Sequence, residues 1–269
     1  MLRCPILHPR FKEPGPTENY AIVFPRVPVS IKRDDGAKLV ADPTTVVLWN
    51  RKQDYGRQAI APEGAVSDWF AVDRETVLDA VRVRDASVEE RPGCPFRIAR
   101  VHASPEMYLS QRRILRNVIH QYTVHPLYIE ERVLMLLSHV IGAGYDQWGI
   151  NAEHDAADRE PIQEEIVWRA ETLIGKHFRE PLLISDIAKQ AGASPFHFCR
   201  LFKERRNSTL HARFVELRLR TALEYVLDTK MDLTDISLDL GYSSHSHFTS
   251  AFRKKFGMTP SSMRGQRSD

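Results

Sequence analysis

Between residues 20 and 104 the apolar positions fall in short β-prone runs, "YAIVF", "TTVVLW", "DWFAV" and "FRIARV". Clusters of Pro, Gly and Asp such as "VADPT" and "IAPEGA" separate them. Short β-branched and aromatic runs at that spacing predict an all-β sandwich or barrel. An intervening stretch, "DRETVLDAVRV", reads as a short helix. From Ser104 the period changes. "SPEMYLSQRRILRNVIHQY" opens on a Ser-Pro cap and sets Met107, Ile114, Leu115 and Val118 on one helical stripe. "HPLYIEERVLMLLSHVIGAGYDQW" follows as a second helix, apolar from Val133 to Ile141. Two such helices either cover the open face of the β unit or pair with those of a second copy.

"GINAEHDAADREP" is polar, acidic and aperiodic, and marks the domain boundary. The pattern therefore predicts three segments: 1–150, a linker at 151–163, and an almost wholly helical unit at 164–269. Within the last, "ISDIAKQAGASPFHFCRLFKERRNSTL" and "LTDISLDLGYSSHSHFTSAFRKKFGMTP" repeat one plan, pairing Ile187 with Ile236, Gly192 with Gly241, Phe198 with Phe248 and Phe202 with Phe252. Each unit is a short helix, a glycine turn and a second helix, which is a helix-turn-helix. Gly192 and Gly241 suit a left-handed turn, and Ser194 with Pro195 suits a helix start. Phe198, Leu201, Phe202, Phe248, Ala251 and Phe252 make the core faces. Phe196, His197, Cys199, Arg200 and Lys203, then His245, Ser246, Thr249, Ser250 and Arg253, fall on the wetter sides. His245 and His247 are two residues apart, so on a helix they point about 200° away from each other and cannot chelate one metal.

Charge sharpens this division. The net +3 of the 269 residues is uneven: residues 161–269 hold 17 Lys and Arg against 13 Asp and Glu, and the rest is close to neutral. The excess, concentrated in "RLFKERR" and "FRKK", suits a polyanion and equally suits a solvated helix face. The cysteines Cys4, Cys94 and Cys199 are far apart and form no Cys-x-x-Cys pair, which predicts reduced thiols and neither a disulfide framework nor a zinc site. No apolar run is long enough for a signal peptide or a membrane span, so a cytoplasmic location is expected.

Residues 165 to 265 resemble the DNA-binding domain of the AraC/XylS family of transcriptional regulators. The likeness is carried by Ile236, Ser237, Gly241, Tyr242, Ser246, His247, Phe248, Ala251, Phe252, Phe256, Gly257, Thr259 and Pro260. The first unit departs from the family pattern, with Asn207 and Leu210 where Gly and Pro are usual, and Ser250 stands where a base-reading arginine is common. The resemblance implies an α+β chain: an N-terminal cupin-like β-barrel with two following helices that dimerise, then an all-α domain with two helix-turn-helix units joined by a long helix. "PEGAVSDWFAV" resembles the turn and strand of such barrels.

Under that reading the helix "HARFVELRLRTALEYVLD" spans about 27 Å and sets helices 195–206 and 245–256 into successive major-groove segments of double-stranded promoter DNA. Phe196, Cys199, Arg200, His245, Ser246, Thr249 and Ser250 are the base-contact candidates, with Arg200 foremost. Lys203, Arg253, Lys254 and Lys255 are the phosphate-contact candidates. Arg51, Tyr55 and Trp69 are candidates to line a pocket for a small-molecule effector. The resemblance admits RNA polymerase as a further partner, and implies no cofactor and no metal.

Other classes remain as alternatives. A cupin-type metal-dependent enzyme fused to a DNA-binding module needs a histidine cluster, yet His102 is the only histidine between 20 and 104. A cysteine-based alkyl-acceptor repair regulator needs a thiolate-zinc cluster that Cys4 and Cys94 do not provide. A helical protein-interaction module is the third. Effector, target promoter and sign of regulation are not written in the residues.

Overall fold

Tyr20–Pro25 (β2) and Thr45–Trp49 (β5) are buried along their whole length, which requires a partner on each face. The computed structural model describes residues 2–119, 126–149 and 161–265, and it supplies both partners. The remaining strands are Leu2–Cys4 (β1), Val29–Arg33 (β3), Lys38–Ala41 (β4), Tyr55–Ala59 (β6), Ala65–Val72 (β7) and Arg100–His102 (β8). They form a five-stranded sheet in the order β1-β7-β2-β5-β8 and a three-stranded sheet in the order β4-β3-β6, with every pairing antiparallel.

Strand parity divides the side chains. Ala21, Val23, Val47 and Trp49 pack toward Val29, Ile31, Leu39 and Ala41 in an inter-sheet core. Tyr20, Ile22, Phe24, Val46 and Leu48 belong to the apolar cluster that the helices share. The strands thus lie in two sheets, and a closed barrel is not among the described residues.

The helices on the other face are Arg74–Arg82 (α1), Pro105–Ile119 (α2) and Pro126–Trp148 (α3). The stretch read as a short helix is α1, capped by Asp73, whose side chain accepts from Thr76 N. On α2, Met107 and Ile114 are buried as the stripe predicts, whereas Val118 is exposed. Tyr108 packs edge-on to Phe24, which closes α2 onto the sheet. Covering the β face is therefore one role of these helices, yet Ile119, Leu127, Leu134 and Met135 remain exposed along them. The start of the second predicted helix, at His125, lies outside the described residues. So does most of the predicted linker, whose last positions open the next helix at Pro161.

The C-terminal part holds Pro161–His177 (α4), Ile184–Ala191 (α5), Pro195–Arg206 (α6), Leu210–Asp228 (α7), Leu233–Asp239 (α8), His245–Phe256 (α9) and Pro260–Gly265 (α10). No helix among the described residues is long and apolar enough to cross a membrane.

The connecting helix α7 is not a free strut. Arg213, Leu217, Arg220 and Glu224 lie on one buried stripe, at spacings of about one turn. Arg213 donates to Asp42 Oδ2 at 2.7 Å and to the Thr44 hydroxyl, in the turn between β4 and β5. Arg220, fully buried, donates to the Ala103 carbonyl and sits 5.1 Å from the centre of the Tyr108 ring. Burial holds the Arg220 guanidinium down at about 10.

Glu224 completes the seam: it accepts from Arg26 Nε at 2.6 Å and from the Tyr108 hydroxyl. Arg26 also approaches Asp68 and Asp228, Arg112 approaches the same two carboxylates, and Gln111 donates to Asp68. Arg26 and Arg112 thus face two buried carboxylates, Glu224 and Asp68, and the more exposed Asp228. Burial raises the Glu224 carboxyl to about 7, against the opposing pull of Arg26.

An acid raised in the folded state holds its proton more tightly there than in the unfolded chain, whose value is 4.5. Its contribution favours folding below about pH 4.5 and is withdrawn as pH rises through about 7. Between pH 5 and 7.5 the wild-type chain is expected to lose on the order of 2 kcal/mol that Glu224→Gln does not lose. Thermal denaturation of both proteins across that range checks it, and parallel profiles refute it.

Candidate nucleic-acid interface

The two helix-turn-helix units are α5–α6 and α8–α9. Each turn uses a glycine at positive φ, 81° at Gly192 and 69° at Gly241. At Gly241 the demand is double, because a Cβ there would lie 2.4 Å from the Arg179 carbonyl oxygen. Ser194 and Ser244 cap the second helices, their hydroxyls accepting from His197 N at 3.4 Å and His247 N at 3.1 Å. The capping residue of each thus fixes where a helix N-terminus meets solvent.

Inside, Phe198 and Phe202 pack edge-on with ring centres 6.1 Å apart, and Phe248 and Phe252 do the same at 5.7 Å. All four are fully buried. The departures at 207 and 210 are absorbed locally: Asn207 takes the left-handed conformation at φ 49°, and Thr209 caps α7 by accepting from Ala212 N. The connecting helix accordingly starts at Leu210.

On α6, Phe196 is 82% exposed. Arg200 is exposed and lies 3.6 Å from the exposed Glu204, Lys203 is exposed, and Cys199 is half-buried. On α9, His245, Ser246, Ser250, Arg253 and Lys254 are exposed, while Thr249 is half-buried with its hydroxyl oxygen covered. Lys255 differs from its neighbours, since its ammonium is 2.6 Å from Glu216 on α7. His247 is exposed and lies edge-on to Tyr242, 5.6 Å between ring centres.

The basic clusters are thus split in their employment. From "RLFKERR", Arg205 donates to Gln163 on α4 at 2.6 Å, and Arg206 donates to Glu171 at 2.8 Å. Glu171 in turn accepts from Arg100 of β8 at 3.2 Å, joining the end of α6 to the sheet. Burial pushes the Glu171 carboxyl up, but Arg100 and Arg206 outweigh it and hold it at about 2. Glu216 is likewise raised by burial and drawn down to about 2 by His102 of β8, at 3.3 Å, and by Lys255. No sequence signal of short range points to Glu171 or Glu216, because their partners come from distant elements.

The effector-pocket candidates are also placed. Tyr55 and Trp69 line a cavity of about 610 Å³ between the N-terminal segment and the sheets, with Arg3, Arg10 and Arg57. Arg51 is exposed and does not line it. It precedes Lys52, which turns the chain at φ 65°. Arg57, two residues from Tyr55 on β6, shares Tyr55's face and donates to the Phe11 carbonyl at 2.9 Å.

Residues 187–266 match the family described as a helix-turn-helix domain. The regulatory protein SoxS of Escherichia coli is 35% identical over 103 residues, covering 38% of this chain and 92% of that protein. The HTH-type transcriptional regulator ArgR of Pseudomonas aeruginosa is 35% identical over 99 residues, 37% of this chain. The matched part spans 30% of the length of ArgR and 26% of that of the regulator GlxA of Rhizobium meliloti. Among solved structures, a transcriptional regulator with an AraC-type DNA-binding domain from Chromobacterium violaceum is similar. It is 34% identical, covers 39% of this chain and 93% of that one, and has a TM-score of 0.37.

The interior and exterior phenylalanines of α6 are expected to separate in a stability measurement. Phe198→Ala removes a fully buried ring and should cost about 3–5 kcal/mol, whereas Phe196→Ala should change stability by no more than about 0.5 kcal/mol. Urea denaturation of the two variants checks this, and equal costs would contradict it.

Proposed function

The chain belongs to the AraC/XylS family of transcriptional regulators, and from that membership we propose that it is a sequence-specific regulator that reads a bipartite promoter site with α6 and α9. The observation that carries the reading is the family match over residues 187–266, which reaches from α5 to α10, beside a likeness that covers 92% of SoxS, a protein named for regulation. The exposed N-terminal ends of α6 and α9 support it, since residues there are the ones a major-groove helix offers to base edges. Arg200 is assigned to guanine, Phe196 to a thymine methyl, and Cys199, His245, Ser246 and Ser250 to adjoining base edges, with Thr249, whose hydroxyl is covered, left to offer its methyl group. Lys203, Arg253 and Lys254 are assigned to phosphates, and Lys255 to a phosphate in competition with Glu216. Ser250, in place of an arginine, makes direct readout by α9 the weaker of the two.

The N-terminal unit is read as a cupin-like regulatory domain. Its cavity beside Tyr55 and Trp69, with Arg3, Arg10 and Arg57 in its lining, supports effector binding, because aromatic walls with cationic groups suit a small polar ligand. The exposed Leu127, Leu134 and Met135 of α3 support pairing with a second copy, for spacings of seven and eight residues bring them to one face of the helix. RNA polymerase stands as the partner through which a regulator of this kind acts.

Two outcomes test the reading. Arg200→Ala should reduce selectivity for the native promoter over random DNA by about 10-fold or more while leaving non-specific binding in place. Lys254→Ala should weaken binding to both and lower the salt slope by about one. Fluorescence anisotropy titrations at several salt concentrations measure both. A chain that binds neither DNA at low salt is instead a helical interaction module. For the dimer, Leu134→Lys should shift sedimentation toward the monomer, and an unchanged profile removes α3 from the interface.

A further inference from the structure

A second cavity, of about 470 Å³, opens where the N-terminal unit meets the helical one. It is distinct from the cavity at Tyr55 and Trp69, with no lining residue in common. We propose that this interdomain cavity is a binding site for a small organic carboxylate.

Its walls come from elements that share no local sequence. Arg100 and Val101 belong to β8, Trp148 ends α3, Arg205 and Arg206 end α6, and Arg213 opens the buried stripe of α7. Four guanidiniums therefore converge on one space. The carboxylates that answer them are Glu171 for Arg100 and Arg206, Glu164 for Arg205 and Arg206, and Asp42 for Arg213. That leaves one guanidinium more than carboxylate.

The other acids at the cavity are engaged elsewhere: Glu216 with His102 and Lys255, Asp146 with Arg84 at 3.3 Å, and Glu204 with Arg200 at 3.6 Å. Burial, with the like charge of Arg206, pushes the Arg100 guanidinium below its ordinary value; burial also opposes the charge on Arg206, but Glu171 and Glu164 outweigh it and raise that guanidinium.

The chemistry of the occupant follows. The planar fork of an arginine matches a carboxylate with two parallel hydrogen bonds, and Glu171 already shows that this space accepts a carboxylate between Arg100 and Arg206. Val101 and the Trp148 ring supply an apolar wall, which an organic body fills and an inorganic ion does not. The volume lies within the range of small-molecule sites. Asn207 and Ser208, the turn that ends α6, also line it, so a bound carboxylate competes with Glu171 for the residues that hold α6. Binding itself does not depend on α6 reading DNA.

The test is isothermal titration of the full chain at fixed ionic strength with sodium benzoate, sodium succinate and inorganic phosphate. Saturable one-to-one binding of a carboxylate is expected. It should weaken at least 10-fold in Arg205→Gln and in Arg100→Gln and be unchanged in Arg57→Gln, which alters the other cavity. Four results overturn the proposal: no saturable carboxylate binding, binding of phosphate alone, affinity unaltered in Arg205→Gln, or affinity lost in Arg57→Gln. Arg205 is half-buried and decides the matter if Arg100→Gln does not fold. A DNA titration without any added anion, run beside it, reports on the regulator reading separately.

Discussion

The helix that separates the two helix-turn-helix units carries buried charged groups that the N-terminal unit answers. Arg213 and Glu224 of α7 are buried against the opposite charges of Asp42 and Arg26, and Arg220, also buried, donates to the Ala103 carbonyl, all from the other half of the chain. Removing one partner of such a pair strands a charge in a low-dielectric place, at a cost of about 3–5 kcal/mol, whereas exchanging the whole pair for apolar groups is often neutral. The pairs therefore contribute less to holding the halves together than to fixing one geometry between them. The apolar cluster that runs from Tyr20 and Ile22 through Met107 to Leu217 and Leu223 supplies the cohesion.

The helical half was largely legible in the residues. Serine caps, glycine turns and phenylalanines at four-residue spacing are local signals, and each unit repeats them, so α5–α6 and α8–α9 could be placed to within a residue or two. Asn207 was legible for the same reason, since its short polar side chain tolerates the left-handed turn. The basic clusters were not. "RLFKERR" reads as one charged face, yet Arg205 and Arg206 turn toward Gln163, Glu164 and Glu171 while Arg200 and Lys203 face solvent. Their partners lie 35 to 42 residues away, where no periodicity reaches. One trace existed: Arg213, Arg220 and Glu224 occupy the positions of α7 that apolar residues fill in a simple amphipathic helix.

The β half was legible as strands but not as an arrangement. Runs such as "YAIVF" announce a strand buried on both faces, and they cannot say whether the second cover is a sheet or a helix. Here it is both, one on each side of β2 and β5. Strand parity places Arg57, and not Arg51, beside Tyr55 at the cavity. Tyr55 and Arg57 alternate onto one face of β6, while Arg51 sits before a turn at Lys52 and points no strand-mate toward the cavity.

β8 is three residues long and, among the described residues, pairs with β5 alone. Its first residue, Arg100, reaches α6 through Glu171, and its last, His102, reaches α9 through Glu216 and Lys255. Both carboxylates act as couplings between one short yoke and two separate shafts. The placement of α6 and that of α9 are therefore tied to the two ends of one three-residue strand.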